Sequence, residues 1–278
     1  MADEGAIDAV RDYYEARGES EWHRLDNPYE GLIEQEIHRR AFADLLPPGA
    51  RVLDAGGGPG KWTGWLLQRG HRVVLGDLSP RMLEIARREL AAAGVAADEV
   101  VELDARDLSR FPTASFDAVL SMGPLYHLTD GEDRRAVVRE ARRVLRPGGM
   151  LLATVMTRYA WSLQALLESG SPRLEAVREM LADGVYRNPE PGRFTEAYLF
   201  RPEEIAPWFE TAGFTTLRTV ASQSFLQLVQ EDVANLRERD PVAYEGLMEI
   251  AYEASGDPSI LGISNHVLYA GRAPGEAR

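Results

Sequence analysis

Cysteine is absent from this 278-residue chain, and lysine occurs once, at Lys61. Without thiols there is no disulfide, no thiolate nucleophile and no thiolate metal site, which suits a reducing compartment and leads us to expect a cytoplasmic protein. No apolar stretch is long enough to span a bilayer, and the acidic first residues lack an apolar run, so neither a membrane partner nor a signal peptide is expected. The five histidines show no metal-ligand spacing and His-Glu-x-x-His is missing, which predicts no metal. Acidic residues outnumber basic ones 44 to 31, a formal charge of −13. Such a surface repels phosphate backbones and disfavours nucleic acid as a partner. The reliance on arginine for positive charge reads as a compositional habit.

The length suffices for one domain with insertions, as a monomer or homodimer. Ile7, Val10 and Tyr14 recur at helical spacing before Gly18, and a second helix is expected to open at Asn27-Pro28, with Leu32, Ile33, Ile37, Ala41 and Leu45 on one face. From Arg51 the pattern alternates. Strands are expected at 51–55, 72–77, 99–103, 116–121 and 149–156, with helices at 60–69, 80–92 and 131–145. The last of these helices follows a Thr129-x-x-Glu132 capping box. Alternation at this spacing indicates a mostly parallel sheet covered on both faces. Beyond it, residues 157–200 read as helix plus loop. A helix near 203–212 and strands near 214–221 and 267–271 follow. Residues 1–48 are read as an N-terminal helical lid segment, 49–278 as the main domain with lid insertions at about 157–200 and 223–262, and 273–278 as a tail.

The informative stretch is Val52-Leu53-Asp54-Ala55-Gly56-Gly57-Gly58-Pro59-Gly60, followed by Val73-Val74-Leu75-Gly76-Asp77. A buried strand runs into a glycine turn and a helix, and a second strand ends on a carboxylate, the front half of a nucleotide-binding βαβ unit. The phosphate-binding P-loop is excluded, because Gly60-Lys61 is followed by Trp62 and no hydroxyl is placed for magnesium. The dinucleotide fingerprint Gly-x-Gly-x-x-Gly fails as well, since its last position falls on Lys61 or Thr63. What remains is Asp54-x-Gly56-x-Gly58-x-Gly60.

That motif resembles the first motif of the class I S-adenosylmethionine (SAM) dependent methyltransferases, and the resemblance extends over roughly residues 51–156. It implies an α/β, Rossmann-like doubly wound fold with a mostly parallel seven-stranded sheet, an antiparallel last strand and a helical lid. It implies SAM as cofactor, with S-adenosylhomocysteine as product. Asp77 stands where the family accepts both ribose hydroxyls, followed by Leu78. Asp104, preferred over Asp107, stands where an acid accepts from the adenine amino group, with the Ala105 N–H beside it. Asp54 is close to the methionine portion, more as scaffold than as ligand. Phe116-Asp117-Ala118-Val119-Leu120-Ser121 matches the fourth strand, whose end borders the methyl donor. Leu145-Arg146-Pro147-Gly148-Gly149 matches the turn into the fifth.

Methyl transfer is an in-line displacement that needs the acceptor held close to the methyl in a dry site. Gly123-Pro124-Leu125-Tyr126-His127-Leu128 occupies the place where nucleic-acid amino-methyltransferases carry Asn/Asp-Pro-Pro-Tyr/Phe. Gly123 replaces the group that would grip an exocyclic amine, so base methylation is disfavoured. The string is similar to one found in small-molecule methyltransferases. His127, just before a helix N-terminus that favours the neutral ring, is the candidate general base. His23 and His266 are weaker candidates, with His266 read as structural. Tyr13, Tyr14, Trp22, Tyr126 and His127 are the candidate substrate contacts, and Arg24 or Arg193 would receive a substrate carboxylate. Other aromatics in the expected lid are Tyr29, Trp161, Tyr186, Tyr198 and Trp208. The expected activity is transfer of a methyl group to oxygen, nitrogen or carbon of a small organic molecule. A protein or RNA acceptor, a SAM-binding partner subunit and an aminopropyl transferase are the rivals.

Overall fold

The computed structural model describes residues 4–24, 26–27, 31–168, 174–187 and 194–275. Three helices lead: α1 (Glu4–Arg17), α2 (Glu19–Arg24) and α3 (Leu32–Leu45). The alternating unit follows as β1 (Arg51–Ala55), α4 (Lys61–Leu67), β2 (Arg72–Asp77), α5 (Pro80–Ala92), β3 (Glu99–Glu102), β4 (Phe116–Ser121), α6 (Pro124–His127), α7 (Gly131–Val144) and β5 (Leu145–Thr157). The second half comprises α8 (Arg158–Glu168), α9 (Leu174–Asp183), β6 (Val185–Tyr186), β7 (Ala197–Phe200), α10 (Pro202–Thr211), β8 (Thr215–Ala221), α11 (Gln230–Arg239), α12 (Pro241–Ala254), α13 (Pro258–Leu261) and β9 (His266–Arg272).

Nine described strands join in one sheet: a run of seven, β3-β2-β1-β4-β5-β9-β8, with β9 antiparallel between β5 and β8, and β7-β6 attached to the end of β5. This is the doubly wound, mostly parallel sheet with an antiparallel last strand that the resemblance implies. Because side chains alternate across a strand, consecutive residues feed opposite cores. Leu53, Val74, Val119 and Leu151 pack with α7 and α10 on one face. Val52, Val73, Ala118 and Leu152 pack with α3, α4 and α12 on the other. Local chemistry sets the helix starts: Ser79 accepts from the Met82 amide ahead of Pro80, and Asp240 accepts from the Ala243 amide ahead of Pro241.

Five expectations differ from the fold. The cap of α7 is Asp130, whose carboxylate accepts from the Glu132 and Asp133 amides, so Thr129 is not the cap. The N-terminal segment holds an additional helix, α2. Residues 157–200 contain strands as well as helices, because β7 pairs in parallel with Met156 and Thr157 of β5 while β9 takes the opposite edge. Four apolar residues carry no period that separates a short strand from a loop. Lid and core are also divided differently: the buried face of α3 and residues Tyr244, Met248 and Ala251 of α12 belong to the sheet's own core. α1 lies over the end of β2, held by hydrogen bonds from Ser79 Oγ to Glu15 and from Arg11 to the Leu78 carbonyl. At the carboxyl end, the Gly148 amide donates to the Pro274 carbonyl and Ala273 is buried, so these two residues belong to the fold and not to the expected tail.

Candidate active site

Two cavities meet above the strand ends. The first is a cleft of about 1030 Å³, counted to its open mouth, lined by Gly56, Gly57, Gly58, Asp77, Leu78, Asp104 and Ala105 on the sheet side. Ile7, Val10, Arg11 and Tyr14 of α1 roof it. The second is a chamber of about 2670 Å³ on the same measure, walled by Tyr13, Trp161, Tyr186, Phe194, Phe225 and Met156. Tyr14, Glu21, Arg24 and Tyr126 line both and form the neck between them.

The glycine loop follows from β1 ending in a buried carboxylate. Asp54 is fully buried and accepts from Thr63 Oγ at 2.7 Å, which ties the loop to the first turn of α4. A side chain on Gly57 would strike that carboxylate at 2.6 Å, and one on Gly56 would strike Pro124 at 2.5 Å. Gly60 packs against Leu75 and Ala86 behind the loop. Asp77 accepts from the Gly58 amide at 2.8 Å through one oxygen and from the Ser79 amide at 2.9 Å through the other. Burial pushes both acids up to about 6, opposed at Asp54 by Thr63 and at Asp77 by the Ser79 and Gly58 amides. A carboxyl raised on folding binds more protons folded than unfolded between pH ~4 and ~6, so these two acids make the fold less stable as pH rises through that window.

The cofactor candidates therefore divide. Gly56, Gly58, Asp77, Leu78, Asp104 and Ala105 face the cleft, whereas Asp54, Gly60 and Ser121 stand behind its wall. Asp104 is gripped by Arg106, whose Nε and Nη2 reach one carboxylate oxygen at 2.9 and 2.7 Å while its amide reaches the other at 2.8 Å. That leaves little acceptor capacity for an adenine amino group.

His127 ends α6 and is 5 % exposed. Its Nε2 meets the Tyr14 hydroxyl at 2.8 Å and its Nδ1 meets Thr195 Oγ at 2.7 Å. Burial first, then the nearby His266 and Arg24, push it down to about 3. This environment favours the neutral ring, but both nitrogens are engaged, so His127 joins α1 to Thr195 and has no nitrogen for an acceptor's proton. His127→Ala would strand two hydroxyls and open a gap, costing about 2–5 kcal/mol of stability. An unchanged melting temperature would refute that role.

Of the expected substrate contacts, Tyr13 lines the chamber, and Tyr14 and Tyr126 line the neck. Trp22 does not: it lines neither cavity and packs under Lys61, whose Nζ is 3.7 Å from the ring centre. Tyr198 and Trp208 pack around Phe200, away from the chamber. Tyr29 and Arg193 lie outside the described residues. Arg24 stands in the neck, its Nε donating to Glu21 at 2.8 Å, while Glu21 also accepts from Arg17. Glu34, which belongs to no motif, and His266, expected to be structural, both line the chamber. Glu34 and His38, one turn apart on the otherwise apolar buried face of α3, were the signal for this carboxylate. Among the described residues no group of three or more histidines and acids is placed to hold a metal. No described helix is long and apolar enough to cross a membrane.

Residues 52–149 match the family model described as a methyltransferase domain. The chain is 30% identical over 194 residues to a ubiquinone biosynthesis O-methyltransferase of Xanthomonas axonopodis pv. citri, covering 69% of this chain and 74% of that protein. It is 26% identical to a tRNA 5-carboxymethoxyuridine methyltransferase of Escherichia coli O157:H7, over 88% of both chains. Among solved structures it resembles a 1,6-didemethyltoxoflavin-N1-methyltransferase of Burkholderia thailandensis bound to S-adenosylhomocysteine, with a TM-score of 0.59, 19% identity and coverage of 99% and 91%.

Proposed function

Since the chain belongs to the class I SAM-dependent methyltransferases, we propose that its acceptor is a small organic molecule held in the aromatic chamber. The observation that carries this reading is the chamber itself. It is walled by rings, it opens onto the cofactor cleft through one neck, and its charged lining pairs Arg17 and Arg24 against Glu21 and Glu34. A groove that tracks a nucleic-acid backbone needs an excess of cations, and the balance here supplies none.

The cleft suits the cofactor. A side chain on Gly58 would meet nothing within 4 Å, so the backbone leaves an open cradle there. Each Asp77 oxygen has one backbone donor and keeps a lone pair, as two ribose hydroxyls require. In our reading Asp77 holds the ribose, Leu78 and Ala105 flank the adenine, and Arg106 fixes Asp104 at the edge of that pocket. SAM supplies an electrophilic methyl group that no side chain can. The protein's part is positioning and exclusion of water: Tyr14 and Tyr126 border the neck with aromatic faces suited to a sulfonium charge, and α1 closes the roof.

Because the hydroxyls need an ionised acceptor, SAM affinity is expected to rise with pH through about 6 and level off above it, by up to tenfold per pH unit on the acidic side. Calorimetry across that range checks the assignment, and a flat profile would remove Asp77 from it.

Transfer of a labelled methyl group into extract of the source organism, followed by size separation, tests the acceptor class. Label in the low-mass fraction is the expected result. A second reading has one point in its favour: the tRNA methyltransferase aligns over a larger share of this chain than the ubiquinone relative does. Label confined to RNA would establish that reading in place of ours.

A further inference from the structure

Glu34 on α3 and His266 at the start of β9 are 232 positions apart in sequence and meet in the chamber, with His266 Nδ1 at 3.0 Å from Glu34 Oε2. The same carboxylate oxygen accepts from Gln223 Nε2 at 2.7 Å. Gln223 Oε1 in turn accepts from the His266 amide and from Ser264 Oγ. The pair is thus clamped from three elements. With Nδ1 donating to the carboxylate, Nε2 is the ring's acceptor nitrogen. It has no hydrogen bond among the described residues and is not sealed from solvent. The imidazole lies 5.6 Å, centre to centre, from Tyr126, which stands in the neck.

The charged and titratable groups around His266 are Glu34 and His38 of α3, Arg24 of α2, and Tyr126 and His127 of α6. Although burial raises the Glu34 carboxyl, His266, His38 and Arg24 hold it well below the usual carboxylate range. His38 is held neutral by burial and bonds Ser222. The pair therefore presents an ionised carboxylate to any imidazolium that forms.

Building on the small-molecule reading, we infer that His266 takes the proton of the methyl acceptor, with Glu34 as its positioning residue, and that the acceptor is an aromatic molecule bearing a weakly acidic O–H or ring N–H. A carboxylate or a free amine arrives with its lone pair available and has no use for a base. An aliphatic hydroxyl is too weak an acid for imidazole to assist far. A phenol, with a pKa of ~10 like that of tyrosine, lies within reach of one. The chamber walls agree: Trp161 meets Phe194 at 5.2 Å and Tyr186 at 5.6 Å between ring centres, a rim suited to a planar ring. In the step, the acceptor's O–H or N–H bond breaks and its proton passes to Nε2. The released lone pair bonds to the methyl carbon as the carbon–sulfur bond breaks, its electrons remaining on sulfur in a neutral thioether. One positive charge thereby moves from sulfonium to imidazolium, beside Glu34, and the proton is lost to water.

4-Nitrophenol tests this on the cofactor-free protein. Binding to the wild type is expected to increase the phenolate absorbance below the phenol's own pKa. His266→Gln should bind the phenol and reduce that increase at least tenfold, Glu34→Gln should reduce it less, and Glu34→Asp should recover part of it. SAM affinity by calorimetry should hold in all three, which also verifies folding. No phenolate increase in the wild type, no binding at all, or an equal increase in His266→Gln overturns the inference. In the extract assay His266→Gln should label low-mass product about 100-fold more slowly, with a rate that climbs with pH where the wild type levels off. Equal labelling by both proteins removes the base and leaves the small-molecule reading intact. Label found only in RNA or protein removes that reading, and this inference with it.

Discussion

Asp77→Ala is expected to weaken SAM binding by two to four orders of magnitude. The ribose hydroxyls would lose their ionised acceptor, and hydrogen bonds to a charged group are worth about 1.5–3 kcal/mol each. The fold should suffer less than the binding. Removing the side chain strands the Gly58 and Ser79 amides, but it also relieves a buried charge whose cost shows in a carboxyl pushed up to about 6. Titration calorimetry and a melting curve on one preparation separate the two. Affinity within threefold of wild type would exclude Asp77 from the ribose site, whatever the melting curve shows.

The second large effect comes from comparing two glycines of the same loop. Gly56 has φ of +82°, and a side chain there would sit 2.5 Å from Pro124. Gly56→Ala is expected to cost about 2–5 kcal/mol, combining left-handed strain with overpacking. Pro124 opens α6, which carries Tyr126 and His127, so the displacement reaches the neck. Gly58 has φ of +55° but faces open space. Gly58→Ala should lose only about 1–2 kcal/mol of stability, while its methyl enters the cofactor cradle and weakens SAM binding. Melting temperatures and affinities of the two variants should therefore rank in opposite orders relative to their expected origin. Equal melting temperatures would show that the contact with Pro124 yields without cost.

The αβ alternation, the glycine loop and the acid ending β2 were legible because each is a local requirement. A strand buried on both faces needs an apolar run, a turn at positive φ admits glycine most easily, and a carboxylate at a strand end follows from its place in the motif. The short strands β6 and β7 were not legible, since a pair of residues and a four-residue run carry no period. His127 shows the limit differently. Its neighbours in sequence suggested a base, but Tyr14 and Thr195, 113 and 68 positions away, occupy both nitrogens.

For this protein the sequence by itself determined the βαβ core, the cofactor class and the positions of Gly56, Gly58 and Asp77 along the chain. These depend on backbone conformation and hydrophobic period, which operate over a few residues. Tertiary structure alone decided that α3 belongs to the core, that Trp22 packs under Lys61, and that Glu34 and His266 share the chamber with the aromatic wall. Those pairings join separate elements through the order and antiparallel turn of β9 in the sheet, and no local spacing encodes where two distant strands and helices will meet.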